Sequence, residues 1–270
     1  MNVVYVNIMG GLGNQLFQVA AAFAYAKHTN RRLQIIYNPD NGNRPLYWDN
    51  VLYRFQLCLV SHLPANMEQW YEPQPTQYQE IDRMPGKNVY LNGYLQSSRY
   101  YMNDEIKQEI KDFFRPHPRL RADLSATYSN LIRDADRVIV MHARRTDYVA
   151  LKEFHGPLES SYYKEAVQRM IKRIENPIFI LCGDDQSYWN EIREDIPEVF
   201  EHEHHLLRES DIRTFALLQN FKNFIMSNST FIWWCVWMAK AQHVMVPSVW
   251  FGPRGPSNYE DIYEPSWERI

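Results

Sequence analysis

An apolar run at residues 138–141 is followed at once by His142, Arg144, Arg145 and Asp147. The run has the length and β-branching of a buried strand, so these polar residues should emerge at its carboxyl end, where open α/β sheets bind ligands. Arginine stays charged and its planar fork grips phosphate oxygens in pairs, so an Arg pair at a strand end suits a diphosphate. The competing reading is a structural network in which Asp147 neutralises the arginines at a domain surface.

Three further segments place polar groups after a strand. Gly10-Gly11-Leu12-Gly13-Asn14-Gln15 opens a helix, as in dinucleotide-binding turns, where glycines let backbone amides approach a pyrophosphate. The match to that fingerprint fails at Leu16, and Tyr37-Asn38 stand where an acidic residue should end the next strand. No Gly-Lys-Ser/Thr follows either, so a ligand-lining loop is preferred to a nicotinamide or flavin site. Asp184 and Asp185 close the run I-F-I-L-C-G-D-D and could receive a purine's amino and imino donors, or cap the helix that follows. Ser229, Thr230 and Phe231 stand between strand and helix, where hydroxyls and amides can donate to an anion or simply cap. The stretch Glu201 to His205 has metal-binding residue types, but strand alternation sends them to opposite faces, so a solvated edge is expected. No metal site is assigned.

The elements that must position these groups alternate. Strands are expected over residues 2–9, 33–37, 89–94, 138–141, 178–182, 224–226 and 244–246, with helices over 15–27, 101–114, 123–133, 160–174, 185–194, 211–218 and 229–240. Residues 39–86 are rich in Pro, Asn and aromatics and read as an irregular insertion. This grammar implies an α/β protein of two Rossmann-like domains facing across a cleft, residues 1–125 and 126–270, with the boundary region near 116–137.

With 270 residues, 45% of them apolar, the chain can bury a sizeable core. Net charge of −3 disfavours nonspecific nucleic-acid binding. Cys58, Cys182 and Cys235 lack metal or redox spacing and read as thiols of a reducing compartment. The first residues carry no positive n-region and no apolar stretch reaches membrane-spanning length, so a soluble cytoplasmic protein is expected. Asn228-Ser229-Thr230 fits the glycosylation triplet, with little weight absent a secretion signal.

Taken together, G-G-L-G-N-Q-L-F-Q at 10–18, H-A-R-R-T-D-Y at 142–148 and S-N-S-T-F-I-W-W at 227–234 resemble the α-1,2-fucosyltransferase family of bacterial and viral enzymes. D-I-R-T-F-A-L-L-Q at 211–219 and the terminal I-Y-E-P-S-W-E-R-I extend the likeness over nearly the whole chain. The His-x-Arg-Arg-x-Asp element is also similar to that of α-1,6- and protein O-fucosyltransferases. The resemblance implies a GT-B type, inverting, metal-independent transfer of L-fucose from GDP-fucose to a galactose-type hydroxyl of a glycan, with no other cofactor, the donor nucleotide lying mainly on the second domain and the acceptor against the first. It implies that Arg144 binds the β-phosphate, that His142 contacts nucleotide or fucose, and that Asp184 or Asp185 holds guanine. Ser229 and Thr230 would donate to phosphate and Phe231 would pack by the base, with Arg145 and Asp147 orienting the loop. His142 and Asp147 are nominal bases. Gly11, Gly13, Asn14 and Gln15 would line the substrate crevice, and Trp48, Trp70 and Tyr71 could stack on acceptor sugars. A transferase of another GDP-deoxyhexose and a non-catalytic nucleotide- or carbohydrate-binding protein are the alternatives.

Overall fold

The computed structural model describes residues 1–42 and 44–270; Asn43, within the expected insertion, lies outside them. The chain divides into two compact units, Met1–Pro116 with Asn258–Glu264, and His117–Ser257 with Pro265–Ile270.

In the first unit, β1 (Val3–Asn7), β2 (Arg32–Ile36), β3 (Leu59–Val60), β4 (Glu68–Tyr71) and β5 (Val89–Asn92) form a parallel sheet of order β3-β2-β1-β5-β4. Helix α1 (Leu12–His28) packs on it, buried on nearly every side from Leu16 to Ala26. Its run of alanines permits that close approach without loss of helix propensity. The expected irregular insertion does contain β3 and β4, each too short to show a period. The helix expected from residue 101 starts later, as α2 (Asp104–Phe113), because Met102 has φ 61° and Asn103 caps the helix by accepting from the Ile106 N–H at 2.9 Å. Asn258–Glu264 joins this unit through Asp261, whose carboxylate accepts from the Tyr78 N–H at 2.9 Å and pairs with Arg99 at 2.6 Å.

The second unit begins earlier than residue 126. Helix α3 (Pro118–Thr127) belongs to it, since Asp123 pairs with Arg213 at 2.7 Å, and Tyr128, just before α4 (Ser129–Arg133), donates to Glu209 at 2.7 Å. The strands β6 (Val138–Ala143), β7 (Ile178–Gly183), β8 (Glu203–Leu206), β9 (Asn223–Ile225), β10 (His243–Val246) and β11 (Glu268–Arg269) run parallel in the order β11-β10-β9-β6-β7-β8. Every residue of β6 is buried, as a central parallel strand with helices on both faces requires. Between strands lie α5 (Thr146–Ala150), α6 (Lys152–His155), α7 (Ser160–Met170), α8 (Tyr188–Glu191), α9 (Pro197–Glu201), α10 (Asp211–Leu218) and α11 (Thr230–Met238). Tyr163, Val167 and Met170 of α7 and Trp189 of α8 fill the core against Met141, Phe179 and Leu181.

Candidate active site

The second sheet reverses its order beside β6: the chain proceeds outward through β7 and β8, then returns to place β9 on the other side. Such a switch point leaves a crevice at the carboxyl strand ends. Three sequence-predicted segments meet there, 142–147, whose first two residues extend β6 beyond the expected end at 141, 184–185 after β7 and 227–231 after β9, on adjacent strands. The His142 ring crosses the switch point, its Nδ1 lying 2.8 Å from Ser227 Oγ, and Phe231 lies 5.7 Å away at a 30° tilt. Burial, helped by the Arg144 charge, pushes His142 down to about 3, so the imidazole is neutral at physiological pH.

Arg144 directly follows β6, its side chain 24% exposed. Its Nε and Nη2 donate side-on to the two oxygens of Asp147, both at 2.9 Å, and Nε lies 3.3 Å from Asp184 Oδ2. Burial works against the charge, but the Asp147 hydrogen bonds and the two carboxylates outweigh it and hold the guanidinium pKa above its usual value. Among the described residues, no hydrogen bond or ion pair engages Nη1. Asp147 is thus an anchor for a cation rather than an unengaged base.

Arg145 turns away. Its Nη1 donates to the Leu158 carbonyl at 3.1 Å and its guanidinium lies 4.1 Å from the Tyr188 ring centroid. Asp184 accepts from the Arg145 N–H at 2.8 Å and from the Thr146 N–H at 3.2 Å, as well as from the Thr146 hydroxyl, and so starts α5. Asp185 accepts from the Ser187 hydroxyl at 2.6 Å and N–H at 3.0 Å, contacts that lower its carboxyl pKa. Both carboxylates therefore carry the local hydrogen bonds of the capping reading.

Ser229 caps α11, accepting from the Phe231 N–H at 3.3 Å, while Thr230 and Phe231 remain half-buried. Asn228 is the residue that sequence reasoning passed over. Only 1% exposed, it donates through Nδ2 to the carbonyls of His155 (2.7 Å), Gly156 (3.0 Å) and Trp250 (2.8 Å). Tyr148 donates to the Asn228 carbonyl at 3.1 Å and stacks on His155 at 4.2 Å. Asn228 thereby ties the α5–α6 segment to the end of β9. So deep a side chain is a poor glycosylation target, and the triplet's weight disappears. Asn228→Leu leaves three carbonyls without their donor, at a cost of ~1–3 kcal/mol for each one that finds no water, so a loss of about 2–4 kcal/mol is expected in denaturant unfolding.

The sequence also holds an Asp-x-Asp, Asp134-Ala135-Asp136, a spacing that the absence of a metal-diphosphate signature expected from sequence overlooks. It precedes β6, and Asp136 pairs with Lys222, so it lies at the end of the sheet away from His142, roughly 20 Å off by strand length. The His-rich stretch ends on edge strand β8, where Glu203, His204 and His205 are exposed. Among the described residues no cluster of three or more His, Cys, Asp or Glu could hold a metal, and no helix is long and apolar enough to cross a membrane.

In the first unit the switch point lies between β1 and β5, and the glycine loop follows β1. Gln15 is fully buried and donates to the carbonyls of Gly10 (2.9 Å) and Pro45 (2.8 Å), while Gln18 clamps both backbone groups of Met9. Gln15 is therefore committed to shaping the loop. Gly11, with no side chain to cap α1, precedes Leu12 and the buried Gly13; a Cβ at Gly11 would meet nothing within 4 Å. Asn14 accepts from Gln96 Nε2 at 3.0 Å. Trp48 is buried, Trp70 half-buried and Tyr71 58% exposed, so of the three only the latter two present a ring surface.

Comparison with known proteins places the chain in a family and a fold. The family described as Glycosyl transferase family 11 matches residues 4–270. The chain is 28% identical to an α-1,2-colitosyltransferase of Escherichia coli, over 100% of this chain and 99% of that protein. It is 25% identical to galactoside α-(1,2)-fucosyltransferase 2 of Mus musculus, over 87% of this chain and 67% of that one. Among solved structures, the α-1,6-fucosyltransferase NodZ soaked with GDP-fucose aligns at a TM-score of 0.55 and 13% identity, over 88% of this chain and 92% of that one. The complex of POFUT1 with GDP aligns at 0.52 and 14%, over 99% and 98%. The likeness shows a shared GT-B type α/β fold, and the full-length family match shows that the chain belongs to glycosyl transferase family 11.

Proposed function

We propose that this protein transfers L-fucose from GDP-fucose to a galactose-type hydroxyl of a glycan, forming an α-1,2 linkage with inversion and without a metal ion. The observation that carries the reading is Arg144, fixed side-on by Asp147 and Asp184 at the β6–β9 switch point with Nη1 unengaged among the described residues. The donor nucleotide would lie on the second unit and the acceptor on the first. As the anomeric C–O bond breaks, its electron pair and the negative charge move onto the β-phosphate oxygen. A preplaced guanidinium stabilises that state more than the ground state, which is what accelerates a reaction.

Neutral His142 would contact nucleotide or sugar as a hydrogen-bonding group. Ser229, Thr230 and the first amides of α11 would donate to phosphate, and Phe231 would pack by the base. The guanine contact falls to Asp185, since Asp184 is committed to α5 and Arg144. Arg145 and Asp147 act as positioning residues. No side chain is assigned as base: a group at about 3 has little driving force for taking the acceptor proton, and Asp147 is occupied. With the leaving group so stabilised, the proton passes to water as attack completes.

One named relative, the α-1,2-colitosyltransferase, favours a competing donor, a colitosyl nucleotide. Initial rates with GDP-fucose, GDP-colitose and UDP-sugars, against galactose-terminated oligosaccharides, decide the donor. Product NMR decides linkage and inversion. EDTA is expected to leave the rate within about twofold, because fixed cationic and amide donors supply the stabilisation a metal would otherwise provide. Loss of activity on chelation with recovery on adding magnesium or manganese would remove the metal-independent mechanism.

A further inference from the structure

At the carboxyl end of the first sheet, one half-buried carboxylate holds a strained turn. Glu72 directly follows β4, and its side chain reaches across the end of β5 to accept from two consecutive amides, Tyr94 N–H at 2.7 Å and Leu95 N–H at 3.0 Å, one on each oxygen. Gly93 makes room for it, since a Cβ there would lie 2.3 Å from Glu72 Cβ. Leu95 is fully buried at φ 55°, a conformation that L-residues adopt only when their surroundings impose it. The next residue, Gln96, is 7% exposed and donates to Asn14 in the glycine loop at 3.0 Å. Contacts thus run without interruption from Glu72 through residues 94–96 to Asn14, across the β1–β5 switch point.

Two adjacent N–H groups need two acceptor oxygens. An ionised carboxylate provides both, whereas a protonated one turns one oxygen into a donor facing an N–H. We propose that Glu72 is a positioning residue for transfer: its ionised carboxylate fixes residues 93–96 so that Gln96 holds Asn14 in place for the acceptor, and protonation of Glu72 releases that hold. This rests on the glycosyl-transfer reading with the acceptor on the first unit.

Protonation falls in an accessible range. Burial pushes Glu72 up to about 7, with the two amides pulling the other way. The ionisable group facing it is Tyr100, itself pushed up mainly by burial, with Glu72, Tyr78 and Asp261 adding to the rise. Asp261 is paired with Arg99, whose guanidinium also covers Tyr78 at 4.4 Å. Tyr100, raised as it is, keeps its proton where Glu72 changes charge. A carboxyl raised above its unfolded value gains stability for the fold on acidification through about 7, while the loop contact that requires the ionised form is lost. Fold stability and acceptor binding therefore move in opposite directions.

The test uses the full chain. In the 15N-labelled protein, the Tyr94 and Leu95 amide resonances should titrate with a midpoint near 7 and stay flat in Glu72→Gln. The acceptor KM should rise roughly tenfold between about pH 8 and 6 while the donor KM holds within about twofold. Glu72→Gln should sit at the low-pH acceptor KM at every pH. In Gln96→Leu the amides should still titrate, but the acceptor KM should be raised and indifferent to pH. Amides that do not titrate in the wild type, or a wild-type pH limb persisting in either variant, would overturn the proposal. A chain that moves no sugar from any GDP donor while its amides titrate would instead overturn the functional reading and leave the Glu72 contact standing.

Discussion

Arg144→Ala is expected to reduce kcat for fucosyl transfer about 10³-fold, at the upper end of what removing one preorganised oxyanion donor costs. The reasoning is local. Arg144 is placed by charged neighbours rather than by the ligand, with Asp147 gripping Nε and Nη2 at 2.9 Å, so little reorganisation is needed when charge develops on the departing diphosphate. The loss should appear mainly in kcat, because the interaction strengthens as the glycosidic bond breaks. Arg144→Lys keeps the charge but not the fork that Asp147 and Asp184 hold, so only about a tenfold recovery is expected. The fold should survive in both, since Asp184 keeps its contacts to the Arg145 and Thr146 amides. Circular dichroism and melting check that point. Near-normal turnover by a folded Arg144→Ala protein would remove the phosphate assignment altogether.

That assignment was partly legible in the sequence. The run at 138–141 is apolar on both sides of its alternation, which marks a strand buried on both faces, and the residues after it could only emerge at an end. The same signal located β1, β7, β9 and β10. What spacing could not show was which distant group each polar residue would meet. His142 finds Ser227 85 positions on, the Arg145 amide finds Asp184 39 positions on, and Asn14 meets Gln96 across 82. Each pairing depends on which strands become neighbours, a property of topology rather than of local pattern.

Local ambiguity hid the rest. Helices α5 and α6 are five and four residues long, too short to display an apolar period, so the segment read as a loop. Asn228 was masked because S-N-S-T reads completely as a cap, and the cap is present, while the neighbouring amide does different work. Buried Gln15 reads from sequence as a crevice-lining residue, yet its amide closes the loop against the Gly10 and Pro45 carbonyls. In each unit a side-chain hydrogen bond joins the loops on either side of the switch point, Asn14–Gln96 in the first and His142–Ser227 in the second. The shared arrangement follows from the shared sheet order, since the loops after two strands that become neighbours out of sequence have no covalent connection nearby and need another tie.

Gly183→Ala should damage both fold and activity, and the reason lies in one close approach. Gly183 pairs with Ala143 in the β6–β7 ladder at φ 152°, and a Cβ there would stand 2.2 Å from the Ala143 carbonyl oxygen. That atom is backbone and cannot swing aside, so relief requires the two strand ends to part by about 1 Å to reach ordinary contact. Backbone strain and overpacking each cost about 1–3 kcal/mol, which puts the loss near 2–4 kcal/mol and the fall in melting temperature at roughly 5–10 °C. The displaced residues are those that matter most: Ala143 precedes Arg144, and Gly183 precedes Asp184, which seats the Arg145 amide. A shift of that size in a charge-stabilising group is expected to lower kcat/KM by about 10²-fold, even in the fraction that folds. Thermal unfolding with active-site titration by GDP separates the two effects. A variant that melts with the wild type and turns over normally would show that the strand ends can spread without moving Arg144, and that the rigidity ascribed to this corner is not what places the guanidinium.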